Sequence, residues 1–206
     1  MESIIVKGGW VMIPILLGSV VALTLVVERL WYFAQIRLDS AAFAAEVFDR
    51  VKANRDQEAL DLCEKTTHPL AAVLAAGIRH AGEDASELDR VMEREGNRQV
   101  QHVEKNLNYL VVVIGVEPLL GFLGTILGLI SAFMAWEKLS TSVTVSALAA
   151  GIYQAMITTA AGLIVAIPYY VIYNVFLSNT NRITHDMNHY GDELVSLLAK
   201  RAKSGL

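Results

Sequence analysis

The amino-acid sequence predicts an all-α, polytopic membrane protein with three transmembrane helices, two of which extend into a cytoplasmic helical bundle. Of its 206 residues, 54% are hydrophobic, and the mean hydropathy is +0.42. The charges cluster between zones that almost lack them, and the longest such zone, residues 139–181, has none. Since about 20 apolar residues suffice to cross a bilayer as a helix, this pattern indicates several spans around one sizeable aqueous segment.

The first span is predicted at residues 10–33. Its uncharged stretch, residues 8–27, ends at Glu28 and Arg29 and is followed by Trp31. Aromatic and charged residues at this position are typical of the membrane interface. The stretch is longer than the apolar region of a signal peptide and lacks a small-x-small cleavage motif, so a membrane anchor is favoured.

The second and third spans follow the aqueous segment. The uncharged run of residues 139–181 would be roughly 65 Å long as a helix, whereas the hydrocarbon core is about 30 Å thick. The third helix is therefore expected to continue into the cytoplasm. The resulting division is a periplasmic amino terminus at 1–9, spans at 10–33, 107–136 and 143–177, a cytoplasmic helical domain at 34–106, a short periplasmic loop at 137–142 and a cytoplasmic carboxyl-terminal helix at 178–206.

The distribution of Lys and Arg near the ends of the spans predicts the orientation. Six lie on the side of the aqueous segment and two on the other, which places the amino terminus outside and the carboxyl terminus inside a bacterial inner membrane. The six are Arg29, Arg37, Arg94, Arg98, Lys105 and Arg182, and the two are Lys7 and Lys138.

The aqueous segment has helical periodicity. Phe43, Val47 and Val51 recur at helix spacing, the pattern continues to Cys63, and Pro69 interrupts it. A further helix is expected to run without interruption from about residue 87 into the second span. The single cysteine excludes an intrachain disulfide and is expected to be a small buried apolar residue.

Several functional classes are disfavoured. The net charge is −4 without a basic stripe, which gives no sign of nucleic-acid binding. HExxH, GxSxG and P-loop motifs are absent from the sequence, so an enzyme is not expected. His185 and His189 form an i,i+4 pair that could bind a metal, but no third ligand accompanies them. A solvated helix face is favoured, with no metal and no cofactor.

The apolar spans carry two faces made of small and polar residues. On a helical wheel of the third span, Gln154, Thr158, Thr159 and Gly162 share an arc of about 140° opposite the bulky side chains. In the second span, small and polar residues fill about one third of the circle. That second face comprises Glu117, Gly121, Gly124, Thr125 and Gly128, with Ser131, Ala132 and Ala135.

Two interpretations of these faces remain open. Glycines spaced four apart allow close helix packing, and hydroxyl and amide groups can bond across helices. Alternatively, both faces line an interior through which an ion passes. Glu117 favours the second interpretation because a carboxylate within a span is costly and marks a functional site by default. An interfacial position would make it unremarkable. The helix-packing set comprises Gly121, Gly124, Gly128, Gly162, Pro118 and Pro168.

The stretches EPLLGFLGTILGLISAF (117–133) and GIYQAMITTAAGLIVAIPYYVIYN (151–174) resemble the two signature helices of the MotA/TolQ/ExbB proton-channel family. The resemblance is greatest to the ExbB/TolQ branch and covers most of the chain. It extends to Glu28 and Arg29 and to ALDLCEKTTHPLAAVLAAGI (59–78). It implies a homopentamer in the lipid bilayer that encloses the single-span helices of an ExbD/TolR-like dimer. Ion flow would then drive work on an envelope-spanning, TonB/TolA-like protein.

The resemblance also assigns pore-lining roles to Thr125 and Thr159, which lie on the small, polar arcs. The family often has Glu where this chain has Gln154, and often a small residue at Glu117. We therefore expect Glu117 to help the ion leave on the inner side, with Gln154 as a neutral outer group. The transported ion is expected to be H⁺, although the hydroxyl of Thr158 leaves Na⁺ open. The alternative function is a non-conducting scaffold that holds single-span partners.

Overall fold

The computed structural model describes residues 7–138 and 145–204, and within these ranges the chain is all α-helical, without strands. The all-α prediction is thus confirmed. Residues 1–6, 139–144 and 205–206, which include most of the predicted periplasmic loop and amino terminus, lie outside the described residues. The helices are α1 (Met12–Gln35), α2 (Ser40–Lys52), α3 (Asp56–Glu64), α4 (Pro69–Arg79), α5 (Ala85–Glu104), α6 (Leu107–Lys138) and α7 (Val145–Ser204).

Three helices are long and apolar enough to cross a membrane, as the sequence predicts. They are α1, the apolar part of α6 and the first part of α7. The described part of the compact unit that they form comprises residues 7–29, 106–138 and 145–175. In it, Met12 and Ile15 of α1 and the preceding Val11 are buried against apolar side chains of α6 and α7. Large apolar side chains such as Phe122 and Ile164 remain exposed on the outside, which suits a lipid-facing surface.

The described part of the second compact unit comprises residues 30–105 and 176–204 and is a helical bundle. Its core joins residues of α2 and α4 to the carboxyl-terminal part of α7, with Val47, Leu74 and Leu194 fully buried. Helix starts are locally encoded, since Asp39 caps α2 by accepting hydrogen bonds from the amides of Ala41 and Ala42, each at 3.2 Å.

The end of α7 is held to the bundle by an ion pair. The guanidinium of Arg201 donates to both carboxylate oxygens of Asp56 at 2.7 Å and to the carbonyl oxygen of Val51 at 3.1 Å. This hydrogen bonding with Asp56 raises the pKa of Arg201 above its ordinary value. Bidentate pairs of this kind fix the orientation of both groups.

Two helices that the sequence predicts as continuous are broken at asparagines. The helix expected to run into the second span ends at Glu104, and α6 begins at Leu107. The first helix predicted in the aqueous segment is likewise divided into two, α2 and α3. At the breaks, Asn106 and Asn54 have φ values of 68° and 56°. Asparagine tolerates this left-handed conformation better than most residues. By contrast, α7 is continuous over 60 residues, in agreement with the expected extension of the third helix.

Cys63 gives a direct test of the bundle core. Its side chain is buried, and burial raises the pKa of the thiol to about 12. Because the thiolate is the reactive form, we expect maleimide to modify Cys63 very slowly in the folded protein and completely after unfolding. The control is a Ser86→Cys variant, in a Cys63→Ser background, whose exposed position on α5 should react rapidly. Modification of Cys63 as fast as that of the control, measured by mass spectrometry, would contradict the buried environment.

Candidate functional site

The small-residue faces of α6 and α7 pack directly against each other. A Cβ atom at Gly121 would lie 2.9 Å from the carbonyl oxygen of Thr158, and one at Gly128 would lie 2.8 Å from that of Gly151. A Cβ at Gly162 would lie 2.6 Å from the carbonyl oxygen of Glu117. Contacts with backbone rather than flexible side chains mean that the two helices approach as closely as glycine permits. The remaining residues of the predicted packing set lie on the same helices, with Gly124 against Thr158 and with Pro118 and Pro168 inside α6 and α7.

Two threonine hydroxyls meet where these helices touch. The hydroxyls of Thr125 and Thr159 hydrogen-bond to each other. The Thr159 hydroxyl also lies 3.1 Å from the carbonyl oxygen of Gly121, and the Thr125 hydroxyl lies 3.3 Å from that of Ala155. Because each hydroxyl has a single proton, one of the two donates to the other hydroxyl while the second donates to its carbonyl oxygen. Both side chains are only partly buried in the single chain. Since a hydroxyl has one proton and two lone pairs, each oxygen keeps capacity to accept a further hydrogen bond from the open side.

Thr158 and Gln154 occupy different environments. Thr158 is fully buried, and its hydroxyl donates to the carbonyl oxygen of Ala155 at 2.9 Å in its own helix. Gln154 is partly buried, and its amide lies against Gly9, whose φ of 72° is in the left-handed region that favours glycine. It borders a shallow hollow together with Lys7 and Ser131. The structure thus places Gln154 at the edge of the α6–α7 pair and Thr158 inside it.

Glu117 lies inside the membrane unit. It is 1% exposed, and its Oε2 atom has no hydrogen-bond partner among the described residues. Gly18 of α1 faces its carboxyl group so closely that a Cβ there would overlap Oε1, and the side chain of Val113 borders the same point. Its backbone carbonyl meets Gly162 of α7. The carboxyl is therefore enclosed by α1 and α6, beside the contact with α7, apart from the partly exposed hydroxyl pair.

A polar cluster marks the other end of α1. Arg29 is buried and forms an ion pair with Glu28, and the side-chain amide of Asn106 donates to Glu28 at 3.1 Å. The sequence indicated Glu28 and Arg29 as an interfacial pair, but it gave no sign of Asn106. An asparagine directly before a long apolar run is the signal that could have identified it.

Metal binding finds no support in the described part of the chain, where no three His, Cys, Asp or Glu side chains are grouped to hold an ion. The rings of His185 and His189 stack along one face of α7 with centroids 6.1 Å apart.

Comparison with known proteins decides the family. Residues 65–189 match the model of the MotA/TolQ/ExbB proton channel family, and this range contains both apolar helices with the hydroxyl pair. The chain belongs to this family. The match agrees with the resemblance of the two signature helices and with the three-span architecture.

Individual relatives come from the ExbB/TolQ group. The chain is 30% identical over 172 residues to ExbB-like protein 3 of Synechocystis sp., covering 83% of this chain and 82% of the relative. It is 30% identical over 161 residues to the biopolymer transport protein exbB1 of Vibrio cholerae, covering 75% and 69%. It is 34% identical over 113 residues to the Tol-Pal system protein TolQ of Haemophilus influenzae, covering 55% and 49%.

These findings establish the general class of the protein. It is a multi-pass membrane protein of a proton-channel family, in the energy-transducing ExbB/TolQ group. The family is one of transport rather than of enzymatic catalysis. The Thr125–Thr159 pair lies in the apolar part of the matched region.

Proposed function

We propose that this protein is the channel and stator subunit of an inner-membrane complex that uses the proton motive force to drive mechanical work on the cell envelope. In this complex, several copies of the chain surround the single-span helices of an ExbD/TolR-like dimer. A pentamer is the proposed stoichiometry. The amino terminus lies in the periplasm and the helical bundle in the cytoplasm, and a TonB/TolA-like protein is the proposed receiver of the work.

The observation that carries the proposal is the hydroxyl pair of Thr125 and Thr159 within the membrane unit. The hydroxyls bond to each other and lie within hydrogen-bond distance of carbonyl oxygens across the α6–α7 contact, which fixes their positions. Their free lone pairs on the partly exposed side offer weak sites for a hydrated proton. Conduction requires sites that bind and release readily rather than a deep trap.

The energy available is sufficient for work. One elementary charge that crosses a potential of 100 mV releases about 2.3 kcal/mol. The hydroxyls cannot themselves carry a positive charge, so an acidic group on the partner helix is the proposed proton carrier opposite them. The subunit would then supply the rigid, polar wall along which that group exchanges its proton. H⁺ is the proposed ion.

Valine at Thr159 tests this function. Valine keeps the branched shape of threonine and removes the hydroxyl, so we expect Thr159→Val to assemble normally with the partner and to lower proton flux into liposomes by at least tenfold. Thr24→Val is the matched control, because Thr24 is exposed on α1 and its hydroxyl donates only to the carbonyl oxygen of Val20 in its own helix. This control should conduct like the unsubstituted protein.

The same measurement separates the alternative function. A non-conducting scaffold would assemble and support work with either valine variant, and the unsubstituted complex would pass no protons. Normal flux in Thr159→Val together with Thr125→Val would contradict the proposed path even if the complex conducts.

A further inference from the structure

Glu117 is the buried ionisable group that the hydroxyl path leaves unexplained. We infer that Glu117 is a separate proton-binding site inside the subunit, which holds a proton while α1 covers it at Gly18 and exchanges that proton when α1 moves away. The proton-holding part of this inference stands on the geometry of the membrane unit alone. The exchange during work rests on the proposed function.

The surroundings of the carboxyl show why it holds a proton. The side chain is 1% exposed within an apolar, membrane-spanning unit, and Oε2 has no hydrogen-bond partner among the described residues. A carboxylate without a partner in such surroundings costs several kcal/mol more than the neutral acid. Binding one proton from water converts the carboxylate to the neutral acid and removes that cost.

Among the described residues, the groups that face Glu117 carry no positive charge. From α1 the facing residue is Gly18, and from α7 Gly162 meets its backbone. Tyr169 of α7 is the titratable side chain at this level, and its hydroxyl donates to the carbonyl oxygen of Ser19, next to Gly18, at 3.3 Å. Arg29 lies eleven residues after Gly18 in α1, which at the rise of a helix is about 16 Å along its axis.

Gly18 is the residue that controls access to the carboxyl. A Cβ at this position would overlap Oε1 of Glu117, so with a larger residue either the carboxyl would leave its present position or α1 would move away from it. Closure excludes water, and without water the proton has no acceptor. Separation of α1 from α6 at this point would admit water, and the acid could then release its proton as hydronium. The contact between Gly18 and Glu117 thus links a helix movement to proton exchange.

Infrared spectroscopy of the full-length protein in lipid nanodiscs tests the bound proton. At neutral pH we expect the unsubstituted protein to show a carbonyl band of a protonated carboxylic acid, which is absent in Glu117→Gln. The band should shift slowly in D₂O. In Gly18→Ala the new methyl group and the carboxyl oxygen cannot both keep their positions, so the enclosure is disturbed and the shift should be at least tenfold faster. Gly115→Ala is the control, because a Cβ there has nothing within 4 Å, and its exchange should match that of the unsubstituted protein.

Two results would overturn the inference. If the spectra of the unsubstituted protein and Glu117→Gln are identical in the acid region, Glu117 is ionised. If Gly18→Ala and Gly115→Ala exchange at the same rate, Gly18 does not control access.

Proton flux then tests the exchange during work. Glu117→Gln, assembled with the partner, should conduct at least tenfold less than the unsubstituted complex. Full flux in this variant would show that Glu117 is only a neutral packing group.

These results are distinguishable from a failure of the proposed function. The infrared band and its exchange are measured on the chain without the partner and do not depend on conduction. If the unsubstituted complex passes no protons, the proposed function fails while the band still decides whether Glu117 holds a proton. If only the Thr159→Val variant loses flux, the function stands and the role of Glu117 in it fails.

Discussion

Replacing Gly121 by leucine is expected to separate α6 from α7 and to lower the free energy of unfolding by about 3 kcal/mol or more. Even a Cβ atom at this position would lie 2.9 Å from the carbonyl oxygen of Thr158 and 3.1 Å from the Cα atom of Thr159. Both obstacles are backbone atoms, which cannot turn aside as a flexible side chain does. Inserting atoms into a packed contact typically costs 1–3 kcal/mol. Leucine adds four heavy atoms against the backbone, so we expect a cost at the upper end of this range or above it.

The same substitution should also abolish proton flux, because it disrupts the hydrogen bond from Thr159 to the carbonyl oxygen of Gly121. Thermal unfolding and size-exclusion chromatography in detergent measure the loss of stability. Gly115→Leu is the matched control on the same helix, since Gly115 is exposed and a Cβ there meets nothing within 4 Å. Equal melting temperatures for the two variants would show that α6 and α7 leave room for a side chain at Gly121.

The sequence predicted the helices of the membrane unit and their small faces, but not which helix each face meets. Charge-free length identifies a span, and spacing along a helix identifies a face, because both depend on neighbouring residues only. The enclosure of Glu117 by Gly18 joins residues that are 99 positions apart in the chain. Such a pairing depends on the packing of three helices, and one glycine in an apolar run gives no signal for it.

The two helix breaks show a second limit of prediction from sequence. Asn54 and Asn106 adopt positive φ values, yet asparagine also occurs inside helices, so the residue type alone does not decide. At Asn106 the conformation accompanies a side-chain hydrogen bond to Glu28, 78 residues away. The break therefore depends on tertiary structure, which periodicity does not reveal. In contrast, the break before α4 was predictable, because proline at the first helical position is a local signal.

The helical bundle is expected to lose stability as the pH falls from about 6.5 to about 4, because His68 is buried in its neutral form. Its side chain is 6% exposed, and burial lowers its pKa from 6.5 to about 4. Asp186 and Arg182 act on this pKa in opposite directions and more weakly. The Nδ1 atom accepts a hydrogen bond from the amide of Leu70 at 3.1 Å and so caps α4. Protonation of Nδ1 would remove that acceptor.

The unfolded chain binds this proton more readily than the folded chain, which fixes the sign of the effect. Above pH 6.5 both states are neutral at His68 and stability is unaffected. Between pH 6.5 and pH 4 the unfolded state gains the proton first, so stability falls with decreasing pH. Below about pH 4 both states are protonated and the loss is complete. A difference of about 2.5 pKa units corresponds to a total of about 3 kcal/mol. Urea unfolding of the full-length protein in detergent at a series of pH values measures it.

His68→Asn isolates the contribution of the histidine from that of the other titrating groups. Asparagine is among the best residues for capping a helix amino terminus and does not titrate. The variant should therefore keep the cap of α4 and lose most of the extra destabilisation between pH 6.5 and pH 4. His68→Ala removes the cap as well, and it should be less stable than His68→Asn by about 1 kcal/mol at pH 7. If the unsubstituted protein and His68→Asn lose stability equally over this range, His68 is not held in a buried neutral state, because the two chains differ only in whether residue 68 can bind a proton.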